Sequence, residues 1–381
     1  MPANVAIIYD SFGPYHHDRL KEVAARLAAE GSRLIAIQVS AEDSVYEWEK
    51  VSASGYEVVT LFDRPLDRTG AGDRLARMLA VIFKQNCRTV FHCGYQRIDA
   101  LLLALVLRLA GRRVYTLMVS KFDDAPRYIW KELIKYLFLA PYHGAVAAGR
   151  RTGEYLLLYG YRKEAIYFGH NTLSLARVAA MASGDASEID FAERGFVVVA
   201  RLVEKKNYDF VLDAFKAYRA MPGAPPRALH IFGDGPEMPR IKKRALDEAI
   251  PDIVFHGWVG AADIAKGMRR GLCLLLLSKE EQWGNVINES IAVGLPVICA
   301  ANAGASDHLV RSFVNGFRVG LDGVEETVRA MAAISTDRAL YEGRSAGSPA
   351  LRAMADVPMY GDAIMAAIKG DPSSGARWWS A

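Results

Sequence analysis

Short apolar runs alternate with amphipathic stretches along almost the whole chain, and this alternation limits the fold more than any other feature. "VAIIYD", "RLIAIQVS", "EVVTLF", "TVFHCG", "RVYTLMVS" and "GAVAAG" read as strands. "YHHDRLKEVAARLAAEG", "GDRLARMLAVIFKQN", "IDALLLALVLRLAG" and "RYIWKELIKYLFLA" lie between them with helical spacing of apolar residues. Apolar runs without strict alternation suit parallel strands covered on both faces. The first part therefore reads as a doubly wound α/β domain. The pattern lapses in "SLARVAAMASGDASEIDFAERG", Ser174 to Gly195, which is rich in small and polar residues and reads as an interdomain connection. It resumes with "FVVVARL", "ALHIFGDG", "IVFHGWV", "LCLLLLS", "PVICAA" and "GFRV", a second α/β domain. The expectation is two Rossmann-like doubly wound domains facing a cleft, at 1–175 and 176–357. The tail 358–381 is expected to pack back on the first. Ligands of such sheets bind at the C-terminal ends of the strands.

A chain of 381 residues is longer than one hydrophobic core usually serves, which agrees with two domains. The net charge of +4, without any Lys/Arg block, is too mild for nucleic acid. It suits an anionic small molecule or an anionic membrane surface. Cys87, Cys93, Cys273 and Cys299 have neither zinc nor disulfide-framework spacing. Three of them lie in apolar runs, where Cys is a small buried hydrophobe. This suggests a reducing, cytoplasmic setting. "MPANVAIIYDSFG" does not read as a signal peptide, and the longest apolar run, "ALLLALVL", is far short of a membrane span.

"SKEEQWGNVINESIAVGLPVICA", Ser278 to Ala300, is the most pointed segment. The strand "LCLLLLS" leads into it, "NVINESIAV" has helical spacing, Gly294 is placed as its C-cap and Pro296 prevents continuation. Glu281 then lies in the strand-to-helix loop and Glu289 on the helix, one turn after Asn285. The N–H groups of Gly284, Asn285 and Val286 open that helix and make an anion site. Carboxylates beside an anion repel it unless they bind hydroxyls, and a vicinal diol is their natural partner. A phosphate with sugars on both sides, a nucleotide-sugar, fits that demand. The bland alternative is two solvent-facing glutamates.

"VVVARLVEKKNYDFVLDAF" puts Arg201 at a strand end and Lys206 five residues later, before a helix. Two cations there would neutralise a diphosphate, with Lys205 as the alternative to Lys206. A solvated basic loop is the competing reading. "IFGDGPEMPRI" places Gly233, Asp234, Gly235 and Pro236 after a strand. It lacks the full dinucleotide fingerprint, which argues against a nicotinamide enzyme. "YDSFGPYHHDRL" sets Gly13 after the first strand, where glycine permits close backbone approach. His16 and His17 either line a site there or merely cap and pack the helix start.

Glu-x7-Glu followed by "GLPVI" resembles the signature of retaining glycosyltransferases of family GT4, which adopt the GT-B fold. The longer "SKEEQWGNVINESIAVGLPVI" looks like a bacterial GT4 subgroup with the motif S-x-x-E-Q-W-G. The resemblance implies that Glu289 holds the nucleotide ribose and that Glu281 contacts the donor sugar. It places Gln282 and Trp283 in the donor pocket, with the N–H groups of Gly284, Asn285 and Val286 on diphosphate or sugar. Arg201 and Lys206 match the element that stabilises the leaving diphosphate, although Asn207 stands where the family often has Gly. Gly235 belongs to the loop resembling "GdGp". The segment His256 to Val259, with Trp258, resembles the loop that touches the base through backbone atoms. Gly13 and His16 match the subgroup opening "GPYH-x-x-RL", with His17 as the neighbour of the family-like His16.

"MVSKFDDAPRYIWKELIK" resembles a further subgroup segment, with Asp123, Asp124, Arg127 and Lys131 as candidate acceptor or donor contacts. The histidine that many relatives carry after this strand is absent, since Met118-Val119-Ser120 stands there. Such enzymes generally dispense with a metal, so no cofactor is expected beyond the nucleotide-diphosphate sugar as co-substrate. The implied acceptor is a glycan or a lipid-linked molecule in bacterial surface polysaccharide or glycolipid synthesis. Competing functions are a nucleotide-sugar hydrolase or epimerase, and a silent sugar-nucleotide-binding scaffold. "RYIWKELIKYLFLA" reads either as an ordinary amphipathic core helix or as a peripheral contact with the inner face of an anionic membrane. The terminal "ARWWSA" is either an interfacial aromatic patch or a packed tail.

Overall fold

The computed structural model describes residues 4–42, 55–183, 189–345 and 349–379. The chain divides into two compact units, Met1–Ser174 with Val357–Ala381, and Leu175–Asp356.

In the first unit seven apolar runs form one parallel sheet. They are β1 (Asn4–Tyr9), β2 (Leu34–Ser40), β3 (Glu57–Phe62), β4 (Cys87–Cys93), β5 (Arg113–Met118), β6 (Gly144–Ala147) and β7 (Ile166–Phe168). Their order is β3-β2-β1-β4-β5-β6-β7. Ile7 pairs with Ala36 on one side and with Phe91 on the other, which centres the core on β1. One face is covered by the helix Pro358–Lys369, whose Tyr360, Ile364 and Ala367 are fully buried. The Tyr115 hydroxyl donates to the Ala367 carbonyl at 2.9 Å, and the Tyr9 and Tyr360 hydroxyls meet at 3.1 Å. Trp378, from the segment read as an aromatic tail, stacks on Phe168 at 5.1 Å and is buried. Ser380 and Ala381 lie outside the described residues.

The second unit holds β8 (Phe196–Val199), β9 (Leu229–Phe232), β10 (Ile253–Gly257), β11 (Cys273–Leu276), β12 (Val297–Ala300) and β13 (Gly316–Val319). These strands are parallel in the order β10-β9-β8-β11-β12-β13. Chain progress reverses between β8 and β11. A crevice opens outside the strand ends at such a reversal.

Two local readings change. The stretch read as a connection begins with the helix Leu175–Ala182, because Leu175, Val178 and Ala182 supply a buried stripe at i, i+3 and i+7. That stripe packs on the helices Ala261–Arg270 and Asn285–Val293. Residues 184–188 lie outside the described residues. "RYIWKELIKYLFLA" is not a core helix: in Ile129–Leu139 only Leu139 is buried.

One buried polar group makes the first unit acid-sensitive. His92 on β4 is fully buried, and neither ring nitrogen has a hydrogen-bond partner among the described residues. Burial, and secondarily the charge of Arg97, pushes its pKa down to about 3. The unfolded chain binds this proton below its ordinary value of about 6.5, whereas the folded chain does not. The stability is thus complete above that value and is lost as pH falls toward 3. At pH 5 the loss reaches about 2 kcal/mol. Thermal unfolding of the protein and of His92→Leu at pH 7.5 and pH 5 checks this. The variant is expected to lose less of its midpoint on acidification, and equal losses would refute the assignment.

Candidate functional site

The site in the second unit is built where β8 and β11 end side by side. The loop after β11 turns into the helix Asn285–Val293 through Gly284, whose φ of 98° is costly for any residue with a Cβ. Gly294 closes the helix with φ 72°, as expected of a left-handed C-cap. The loop is fixed by backbone contacts. Gly304 N–H donates to Glu281 O at 3.1 Å and Ala305 N–H to Trp283 O at 2.9 Å. Lys279 N–H donates to Lys205 O at 2.9 Å, which ties the loop to the segment after β8.

This tie brings the two charged motifs together. Lys206 Nζ donates to Glu281 Oε2 in an ion pair, and Ser278 Oγ donates to the same oxygen at 3.2 Å. Both partners are largely withdrawn from solvent, at 17% and 13% side-chain exposure, so screening is weaker than for a surface pair. Of the two lysines, Lys206 makes this contact, while Lys205 is exposed and contributes its carbonyl. Asn207 adopts φ 58°, and its side-chain N–H donates to Leu277 O at 3.1 Å. Asparagine tolerates that conformation better than other residues with a Cβ.

Arg201 is exposed just beyond β8. The glycines of the "GDG" turn let a second chain segment pass beside it. Leu202 N–H donates to Asp234 O at 3.0 Å, and Glu237 N–H to Leu202 O at 3.0 Å. A Cβ on Gly233 would stand 2.1 Å from Ala200 O, and one on Gly235 would stand 2.5 Å from Leu202 O. Close approach is therefore what these two glycines provide. Gly233 N–H donates to Gly257 O at 2.8 Å, linking the turn to the segment His256 to Val259.

His256 is exposed on the edge strand β10 and stacks flat on Phe232 at 4.1 Å. Its Nε2 lies 3.1 Å from His230 Nδ1. Burial lowers the pKa of both rings, and at His230 the charge of His256 lowers it further. Trp258 is 64% exposed, and Val259 is half-buried.

Of the residues opening the helix, Gln282 is exposed and Asn285, Val286 and Glu289 are half-buried. The first N–H groups of a helix have no partner within it. Asn285 Oδ1 is buried without a hydrogen-bond partner among the described residues. Trp283 needs correction as a donor contact. Its indole is 3% exposed and donates to Asn288 Oδ1 at 3.1 Å, while Asn288 donates to Ala355 O at 3.0 Å. The indole thus supports the loop from within. Sequence reasoning missed Ser278 and the Asn285 side chain as polar groups of the site. Ser278 opens the S-x-x-E-Q-W-G motif, three residues before Glu281, which is the signal that could have found it, whereas nothing in the spacing marks the Asn285 side chain.

The candidates of the first unit serve mainly structural ends. Gly13, with φ −112°, is the N-cap of the helix Pro14–Ala29, and its N–H donates to His16 Nδ1 at 3.0 Å. His16 therefore caps the helix, as one of the two readings held. His17 is 7% exposed, and its Nδ1 lies 2.6 Å from the Tyr56 hydroxyl. Asp123 and Asp124 both pair with the buried Lys121 Nζ at 3.0 Å. Arg127 donates to Lys121 O at 2.5 Å, Phe122 O at 2.5 Å and the Tyr155 hydroxyl at 2.8 Å. Asp123, Asp124 and Arg127 are engaged in shaping the turn around Lys121. Among the described residues, no group of three His, Cys, Asp or Glu is placed to hold a metal ion.

The second-unit arrangement offers two cations and a helix N-terminus for an anion, with carboxylate and amide oxygens beside them for hydroxyls. Residues 185–346 match the family model described as Glycosyl transferases group 1. The chain is 29% identical over 191 residues to the lipopolysaccharide core biosynthesis glycosyltransferase LpsE of Rhizobium meliloti, covering 48% of this chain and 50% of that protein. It is 28% identical over 163 residues to the exopolysaccharide phosphotransferase SCO2592 of Streptomyces coelicolor, covering 42% and 17%. The chain thus spans half or less of the curated relatives it matches. Among solved structures, Anabaena Alr3699/HepE in complex with UDP and glucose superimposes with a TM-score of 0.70 at 15% identity, covering 96% of this chain and 99% of that one. The lipopolysaccharide outer core galactosyltransferase WaaB, in its apo form, gives 0.70 at 13% over the same shares. The fold is accordingly GT-B, with two Rossmann-like domains, and the family match lies within the second unit.

Proposed function

We propose that this protein transfers a sugar, with retention of configuration, from a nucleotide-diphosphate sugar to a hydroxyl of a glycan, glycolipid or related acceptor. The setting is bacterial surface polysaccharide or glycolipid synthesis. The observation that supports this best is the convergence of Arg201, Lys206, Ser278 and Glu281 at two adjacent strand ends, beside the helix that begins at Asn285. An isolated basic loop would not be locked to a carboxylate from a second strand end.

In this reading the diphosphate lies against Arg201, Lys206 and the N–H groups of Gly284, Asn285 and Val286. The anion competes with Glu281 for Lys206, which releases the carboxylate to accept from hydroxyls of the transferred sugar. Glu289 accepts from the ribose diol, and Asn285 Oδ1 receives a further hydroxyl. As the bond from the anomeric carbon to the phosphate oxygen breaks, its electron pair stays on the diphosphate. Two cations and the helix N-terminus stabilise that growing charge, usually a large catalytic contribution. The acceptor oxygen bonds to the anomeric carbon on the face of departure and passes its proton to the leaving phosphate oxygen. The protein's own cations supply the positive charge, so the proposal includes no metal. The names of relatives point the same way: one was solved with UDP and glucose, and another is assigned to lipopolysaccharide core biosynthesis.

A panel of nucleotide sugars screened by thermal shift tests the reading. A donor at one hundred times its Kd is expected to stabilise the fold by about 2.7 kcal/mol. Incubation of that donor with acceptor glycans, followed by NMR of the anomeric proton, then reads the stereochemistry. Binding without transfer to any acceptor would refute the transferase reading, and an inverted product would refute retention.

A further inference from the structure

The helix Ile129–Leu139 is amphipathic with its apolar side outward. Ile129, Trp130, Leu133, Ile134, Tyr136 and Leu137 are between 46% and 82% exposed. Glu132 and Lys135 turn inward instead. Glu132 accepts from the Tyr155 hydroxyl at 2.6 Å and from the Tyr159 hydroxyl. Lys135 Nζ donates to the same Tyr155 hydroxyl at 2.9 Å, and Arg127 Nη1 lies 3.4 Å from Glu132 Oε1. Burial alone would raise the Glu132 pKa, but the two tyrosines, with Lys135 and Arg127, hold it down at about 2. This network fixes the helix by its charged side, so the apolar side has nowhere inward to go. A surface helix of a globular protein normally does the reverse. A contiguous apolar patch of this kind marks an interaction surface.

The charge of the stretch of sequence that carries the helix indicates what covers it. Residues 97–164 hold twelve Lys and Arg against six Asp and Glu, a surplus of six, larger than the +4 of the whole chain. Lys131 lies over the rings of Tyr128 and Trp130, at 4.8 and 5.3 Å, so a cation stands among the exposed aromatics. Basic residues interleaved with Trp, Tyr and Leu suit a headgroup layer above acyl chains. A second copy of this face is a poorer partner, because a two-fold contact sets the patch against itself and doubles the like charge. Eleven residues reach about 16 Å, half the hydrocarbon thickness, so the helix can lie in the interface but cannot cross it. Among the described residues, no helix is long and apolar enough to cross a membrane.

We propose that the exposed face of Ile129–Leu139 docks the first unit on an anionic lipid bilayer. This does not depend on the transferase reading. Co-sedimentation with vesicles of phosphatidylcholine alone, and with vesicles that also contain phosphatidylglycerol, tests it without an activity readout. The protein is expected to pellet with the anionic vesicles at low salt and to be released as salt rises. The double variant Leu133→Ser/Leu137→Ser is expected to weaken partitioning by at least about tenfold. Leu246→Ser, at an 80% exposed position of the second unit, serves as control and is expected to leave partitioning unchanged. Light scattering on the same proteins reads the alternative occupant. Failure to bind anionic vesicles, equal binding to both compositions, or a dimer that the double variant dissociates would each overturn the proposal.

Discussion

Arg201→Ala is expected to lower kcat for sugar transfer by about 10²- to 10³-fold, while the donor still binds and stabilises the fold measurably. The magnitude is that of removing one preorganised group that faces developing charge, about 3–4 kcal/mol of transition-state stabilisation. Ground-state binding suffers less, because in the proposed site Lys206 and the N-terminus of the helix Asn285–Val293 would still face the diphosphate. Folding stability should fall by no more than about 1 kcal/mol, since Arg201 is exposed beyond the end of β8. Thermal unfolding, donor-induced thermal shift and steady-state kinetics on one preparation separate the three effects. Lys206→Ala makes the useful contrast. It leaves the Glu281 carboxylate with Ser278 alone and without its cation, so donor affinity should fall as well as turnover. A fully active Arg201→Ala enzyme would sink the assignment of leaving-group stabilisation to this residue.

The strands of both sheets were legible because each is a buried apolar run punctuated by turn residues. β7 escaped notice because three residues carry too little pattern. The helix Leu175–Ala182 was hidden by its small residues, which make a stripe only against neighbours already in place. The donor motifs were legible as spacing, but their roles were only partly so. Trp283 and Glu281 are two residues apart in one conspicuous loop, yet one is buried and the other meets Lys206. Sequence distance does not reveal which side of a loop faces inward. The same gap hid that Asp123, Asp124 and Arg127 hold the turn around the buried Lys121. In Ile129–Leu139 the periodicity correctly signalled an amphipathic helix. Periodicity defines two faces and not which one meets the body, and here the network around Glu132 decides it.

Gly233→Ala is expected to cost about 2–6 kcal/mol of stability and at least about tenfold in kcat/KM. Two penalties combine. The backbone holds φ at +130°, where a residue with a Cβ is strained by about 1–3 kcal/mol. The new methyl would also stand 2.1 Å from the Ala200 carbonyl oxygen, a backbone atom that cannot rotate away. Overpacking of that kind typically adds about 1–3 kcal/mol. The clash is relieved only by shifting the 200–202 segment, which hydrogen bonds from Ala200 and Leu202 fix to Phe232 and Asp234 at 3.1 and 3.0 Å. That segment carries Arg201, and a misplacement near 1 Å can cost about a hundredfold in rate. Gly257→Ala isolates the strain. It has φ of +70° and nothing within 4 Å of an added Cβ, so only about 1 kcal/mol is expected there. Chemical denaturation of the two variants, with kinetics alongside, makes the comparison. If Gly233→Ala is no less stable than Gly257→Ala and turns over normally, the "GDG" turn does not press on the chain that carries Arg201.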